Sequence, residues 1–158
     1  MRRLLLGFIA CFSFVFSNVS SQAETRIIAN CGASKGWSYF NYSELTPKEK
    51  SGWMENGNRN GSFSIIELDN GEYDILFKDA TGSVYSARSE GTVVLLRKTV
   101  GDLAILSITS IGVIEVYNLW IEREGGLKFS YLANKPTGII KGSSSLFVGN
   151  CSLINLLG

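Results

Sequence analysis

Phe63-Ser64-Ile65-Ile66-Glu67-Leu68-Asp69-Asn70-Gly71-Glu72-Tyr73-Asp74-Ile75-Leu76-Phe77 is the stretch whose reading decides the fold. Asn70-Gly71 stands between two runs rich in β-formers. This dipeptide is the strongest short-range signal for a two-residue type I′ hairpin, because both central residues must accept positive φ. With Asn70 and Gly71 as the turn, Asp69 faces Glu72, Leu68 faces Tyr73, Glu67 faces Asp74, Ile66 faces Ile75 and Ser64 faces Phe77. Side chains alternate along a strand, so this register predicts a core-facing set of Ile66, Leu68, Tyr73, Ile75 and Phe77. The opposite face then carries four carboxylates, Glu67, Asp69, Glu72 and Asp74.

Downstream of the hairpin, short β-rich runs are punctuated by glycine at Gly82, Gly91, Gly101, Gly112 and Gly125-Gly126. The pattern predicts strands near 62–69, 72–78, 83–88, 92–98, 103–109, 113–122, 127–133 and 145–152. In Val113–Glu122 both faces are largely apolar, as in a central strand, whereas Leu127–Tyr131 alternates as a wall with one wet face. Connections this short join antiparallel neighbours, since parallel strands need a long crossover. Upstream, Arg26–Cys31 reads as an opening strand that ends at Gly32. Thr46-Pro47-Lys48-Glu49 has the marks of a helix start, with threonine as N-cap and proline at the first helical position. Asn56–Gly61 reads as a mobile polar loop. The expected fold is therefore all-β: a single-domain antiparallel meander of about eight to nine strands with one short N-terminal helix. It forms a closed or partly closed barrel, with a β-sandwich as the alternative.

Residues 1–23 are set apart from that domain, which spans 24–158. Arg2-Arg3 precedes an apolar run from Leu4 to Phe16, and Ser21-Gln22-Ala23 offers small side chains where a signal peptidase cuts. The run is shorter than the roughly 20 residues of a spanning helix. Ala10-Cys11 also fits a lipid-modified cysteine, but Phe8 stands where leucine is usual and the apolar run continues past Cys11. Cleavage after Ala23 removes Cys11 and leaves Cys31 and Cys151 as an even pair in an oxidising compartment, which predicts a disulfide between the first strand and the last. It also removes Arg2 and Arg3, leaving 13 basic against 14 acidic residues. That balance carries no nucleic-acid or membrane-surface footprint.

The chain contains no histidine. This removes the Ser-His-Asp triad, the Cys-His pair and every histidine metal site. Gly32-Ala33-Ser34-Lys35-Gly36 matches the G-x-S-x-G pattern, but the motif needs a histidine base and a strand-to-helix turn. Nothing in the sequence calls for a cofactor. Two groups of residues remain as candidate sites. Glu67, Asp69, Glu72 and Asp74 suit a calcium ion, which takes several oxygen ligands, or supply a carboxylate pair for glycoside hydrolysis; the plainer reading is a solvated sheet face. Trp37, Tyr39, Phe40, Tyr42 and Trp53 suit the mouth of a barrel, where aromatic faces bind sugars or apolar ligands; the plainer reading is a plug at one end of the core.

The signal-like start, Cys31-Gly32-Ala33-Ser34, Gly71–Ala80 and the closing Val148-Gly149-Asn150-Cys151 together resemble small exported bacterial proteins of uncharacterised function. The resemblance implies a periplasmic or secreted location and carries no catalytic residue over. The function expected from the sequence is a non-enzymatic exported binding or cell-envelope protein, its partner a small molecule, a glycan or an envelope protein. The alternatives are a small glycan hydrolase using Glu67 and Asp74, or an inhibitor of a secreted enzyme.

Overall fold

A computed structural model describes residues 25–79, 81–136 and 141–157. The expected signal segment over 1–23 and its cleavage site lie outside the described residues. Ten strands form one antiparallel sheet: β1 (Arg26–Phe40), β2 (Gly52–Asn58), β3 (Ser62–Glu67), β4 (Tyr73–Lys78), β5 (Val84–Ser86), β6 (Gly91–Lys98), β7 (Asp102–Thr109), β8 (Ile114–Ile121), β9 (Leu127–Lys135) and β10 (Ser143–Ile154). Their order across the sheet is β5-β4-β3-β1-β10-β9-β8-β7-β6, with β2 paired to β1 beside that path. Two meanders, β3 to β5 and β6 to β10, are thus joined through β1. The sheet curls into a half-barrel, which settles the expected choice in favour of a partly closed barrel over a two-sheet sandwich.

The two free edges, β5 and β6, are consecutive in the chain and are connected by the single helical turn α1 (Ala87–Glu90). Ser86 caps this turn, its hydroxyl accepting from the Ser89 amide at 3.2 Å. The Glu90 carbonyl accepts from the Ser110 amide at 2.9 Å, which ties the turn to the loop after β7.

β1 does not stop at Gly32 as the sequence suggested. It continues to Phe40 through a bulge: Cys31 lies opposite Cys151, but Ser34 lies opposite Gly149, so β1 carries one extra residue. Glycine weakens a regular strand yet suits such a bulge, where the strand bends and twists more sharply. The bend gives β1 two partners on one side, β3 along its first half and β2 along its second. β2 in turn takes in the first half, residues 56–58, of the stretch expected as a mobile loop. The expected helix at Thr46-Pro47 shrinks to one 3-10 turn, Lys48–Lys50, preceded by Pro47 and without a side-chain cap. The strand expected over 83–88 ends at Ser86, where α1 begins.

The hairpin register also differs from the expected one. Glu67 faces Tyr73, Ile65 faces Ile75 and Phe63 faces Phe77. The turn holds three residues, Asp69-Asn70-Gly71, closed by hydrogen bonds from the Leu68 amide to the Glu72 carbonyl at 2.7 Å and from the Gly71 amide to the Leu68 carbonyl at 2.9 Å. Only Gly71 takes positive φ, at 77°. This is a type I turn followed by a left-handed glycine, the usual three-residue alternative to a type I′ turn. A one-residue change in register exchanges the faces of a strand. The core face is therefore Phe63, Ile65, Tyr73, Ile75 and Phe77, and Leu68 sits at the turn.

The core lies inside the curl, with Ile28, Ala29, Ile65, Ile75, Leu103, Ile105 and Leu119 fully buried. Burying one such aliphatic side chain stabilises by about 1.5–3 kcal/mol. Phe63 packs on Tyr117 and edge-on to Phe129, with ring centroids 5.1 and 4.9 Å apart. The expected disulfide is present: Cys31 and Cys151 are direct cross-strand partners on the two central strands.

Candidate functional site

The inward side chains of the half-barrel stack in tiers, because residues directly opposite one another in neighbouring strands point to the same face. The deepest tier runs Phe129, Leu119, Leu103, and the next runs Phe147, Tyr131, Tyr117, Ile105. Above it the row changes character: Ser38, Ser145, Ala133, Glu115, Ser107. Four small side chains cannot fill the curl at that level. The result is a cavity of about 700 Å³ with an aromatic floor and a polar wall, whose mouth carries Phe40, Glu90, Lys135 and Lys141. That volume falls in the range that receives small organic ligands.

Glu115 is the one long side chain of the polar tier. Its two carboxylate oxygens accept from the tyrosines of the tier below, Oε2 from Tyr117 Oη at 2.8 Å and Oε1 from Tyr131 Oη at 2.6 Å. Burial, then the Glu115 charge, raises both phenols well above the usual tyrosine range. Both therefore stay protonated and keep donating. None of the ion pairs among the described residues involves Glu115. Across the cavity the polar wall is knitted by serine hydroxyls: Ser38 Oγ and Ser145 Oγ are 2.7 Å apart, and Asn56 Nδ2 donates to Ser38 Oγ at 3.1 Å.

The five aromatics expected at a barrel mouth are divided by the sheet. Phe40 points inward to the mouth, where the Lys141 ammonium lies 4.1 Å from its ring centroid. Trp37 and Tyr39 alternate with the inward serines and lie on the outer face, 52% and 42% exposed. Trp53, cross-strand partner of Tyr39, meets it edge-on at 5.5 Å, and Tyr42 is exposed in the loop beyond β1. From Trp37 an apolar row continues across the outer face through Leu146, Leu132, Val116, Leu106 and Val94.

The four hairpin carboxylates are also separated. Glu67 shares the inner face with Tyr73 and pairs with Arg26 and, at 3.5 Å, with Lys98; the Arg26 hydrogen bond holds its carboxyl below the usual range. Asp69 accepts from the Asn70 amide at the turn, and Glu72 pairs with Arg88 at 2.6 Å. Asp74, facing Ile66 on the other face, is buried and accepts from the Ser86 hydroxyl and the Ile75 and Arg88 amides. Each has a structural partner, and among the described residues no group of three acidic or cysteine side chains converges on one point.

Searches of family models, curated proteins and solved structures found no match. The residues that sequence reading missed are Glu115, Tyr117, Tyr131 and Ser107. A signal was present: Glu115 falls in phase with Tyr117 and Leu119, so the strand that looked apolar on both faces carries one charge on its core face.

Proposed function

We propose that this is a non-enzymatic binding protein of an oxidising, extracytoplasmic compartment, and that its ligand is a small organic molecule received in the half-barrel. The cavity above the Tyr117–Tyr131 tier carries this reading, because a chain of this size that leaves a row of its core small gives up packing that a larger side chain would supply. The Cys31–Cys151 disulfide supports the compartment. The glycan-hydrolase alternative lacks its pair, since Glu67 and Asp74 lie on opposite faces and are held in separate contacts.

A neutral apolar dye, N-phenyl-1-naphthylamine, tests the reading. Its fluorescence should rise on binding the wild type, and Ala133→Phe, which puts a ring into the polar tier, should weaken that binding at least about tenfold while the fold is retained by circular dichroism. Undiminished dye binding by a folded Ala133→Phe protein would place the dye elsewhere and end the proposal.

A further inference from the structure

Resting on the cavity reading, we infer that the ligand enters with a protonated amine foremost, seated against the Glu115 carboxylate above the aromatic tier. The geometry dictates the chemistry of the buried end. Glu115 lines the cavity and already receives two hydroxyl donors, and a carboxylate has acceptor capacity beyond two bonds but none to donate, so the group that meets it must donate. An anion is repelled there. A neutral hydroxyl donates an ordinary hydrogen bond to the carboxylate, whereas an ammonium adds its charge, and charge-assisted hydrogen bonds are the stronger.

Those rings turn their faces to one another and the tyrosine hydroxyls to Glu115. Tyr117 and Tyr131 lie 4.9 Å apart at 31°, and Tyr131 and Phe147 are stacked at 5.7 Å and 16°. The tyrosines cannot supply the countercharge themselves, because both phenols remain protonated at neutral pH. At the mouth the protein supplies its own cation, Lys141 over Phe40. The cationic place left open is therefore the deep one. Lys135 and Lys141 share the rim with Glu90, so a ligand with a polar outward end fits as well as a simple amine.

Calorimetry with the chain from residue 24 to 158 and two probes of the same shape separates the possibilities: tryptamine, which carries the ammonium, and tryptophol, its neutral alcohol counterpart. Tryptamine should bind at least about tenfold more tightly than tryptophol. Glu115→Gln, which keeps the size and one acceptor, should reduce that ratio to near one. The wild-type ratio stands as a test even where Glu115→Gln does not fold. Equal or tighter binding of tryptophol by the wild type overturns the inference and leaves the cavity reading intact, since an alcohol would then occupy the same space. Absence of heat from both probes overturns it too, and the dye experiment then decides whether the cavity reading falls with it.

Discussion

Tyr131 donates its phenolic proton to Glu115 at 2.6 Å, from one strand to its neighbour across the inner face of the sheet. The contact makes a buried phenol the partner of a charge. Its phenol and that of Tyr117 are held above the unfolded value of 10.0, first by burial and then by Glu115. An acid whose folded pKa is raised leaves the native state holding more protons than the unfolded chain once pH exceeds the unfolded value. Stability should be flat up to about pH 10 and then fall by about 1.4 kcal/mol per pH unit for each tyrosine. Urea melts across alkaline pH check this. Tyr131→Phe should reduce the slope while costing about 1–3 kcal/mol at neutral pH.

Asp74 and Glu72 are two residues apart and should behave oppositely. Asp74→Ala leaves the Ser86 hydroxyl and the Ile75 and Arg88 amides without their acceptor at the seam where α1 covers the edge of β4, and should cost about 2–3 kcal/mol. Glu72→Ala removes a half-exposed ion pair with Arg88 and should cost no more than about 0.5–1 kcal/mol. Equal costs, measured by thermal or urea unfolding, would contradict the observed register.

Reduction of Cys31–Cys151 should destabilise by about 2–5 kcal/mol, since the bond closes a loop with a sequence separation of 120. Urea unfolding with and without reductant, and of Cys31→Ser with Cys151→Ser, measures it. The reduced and doubly substituted proteins should agree.

All three tryptophans lie away from the cavity: Trp37 and Trp53 on the outer face of β1 and β2, and Trp120 on the outer face of β8. A ligand seated above Tyr117 and Tyr131, and transparent in the near ultraviolet, should leave tryptophan emission unchanged and tryptophan quenching by acrylamide unaffected. Trp53→Ala should likewise leave such binding intact. Marked protection of the tryptophans on ligand addition would move the binding site to the outer aromatic surface.

The hairpin was legible at once, its register was not. Asn-Gly serves a two-residue turn with both residues at positive φ and also a three-residue turn with only the glycine there, and the difference moves Glu67 and Asp74 to opposite faces. The Cys31–Cys151 pairing followed from counting cysteines once the first stretch was set aside. The second half of β1 was obscured for a different reason. Its polarity is inverted, with Ser34 and Ser38 inside and Trp37 and Tyr39 outside, so a reading that sends apolar residues inward assigns those aromatics to the mouth. Of the small residues that make room for the cavity, Ser107, Ala133 and Ser145 fall in expected strands and Ser38 in the stretch that was not read as strand. Glu115 was hidden by apolar neighbours on both faces of β8.

The centre of the sheet is made from the two ends of the described chain, because β1 is held on one side by β3 and on the other by β10. Two ribbons of consecutive hairpins need only local contacts, but the pairing that fuses them spans most of the polypeptide and carries the larger loop-closure cost. A chain emerging N-terminus first holds β1 with one open edge until residues 143–154 arrive. Thiol oxidation at Cys31 waits for the same moment, since its partner rides on that final strand. A chain cut short before β10 would have its longest strand unpaired along one side, a template for joining other chains. Closure of the sheet's centre is thus conditional on residues 143–154 having been made.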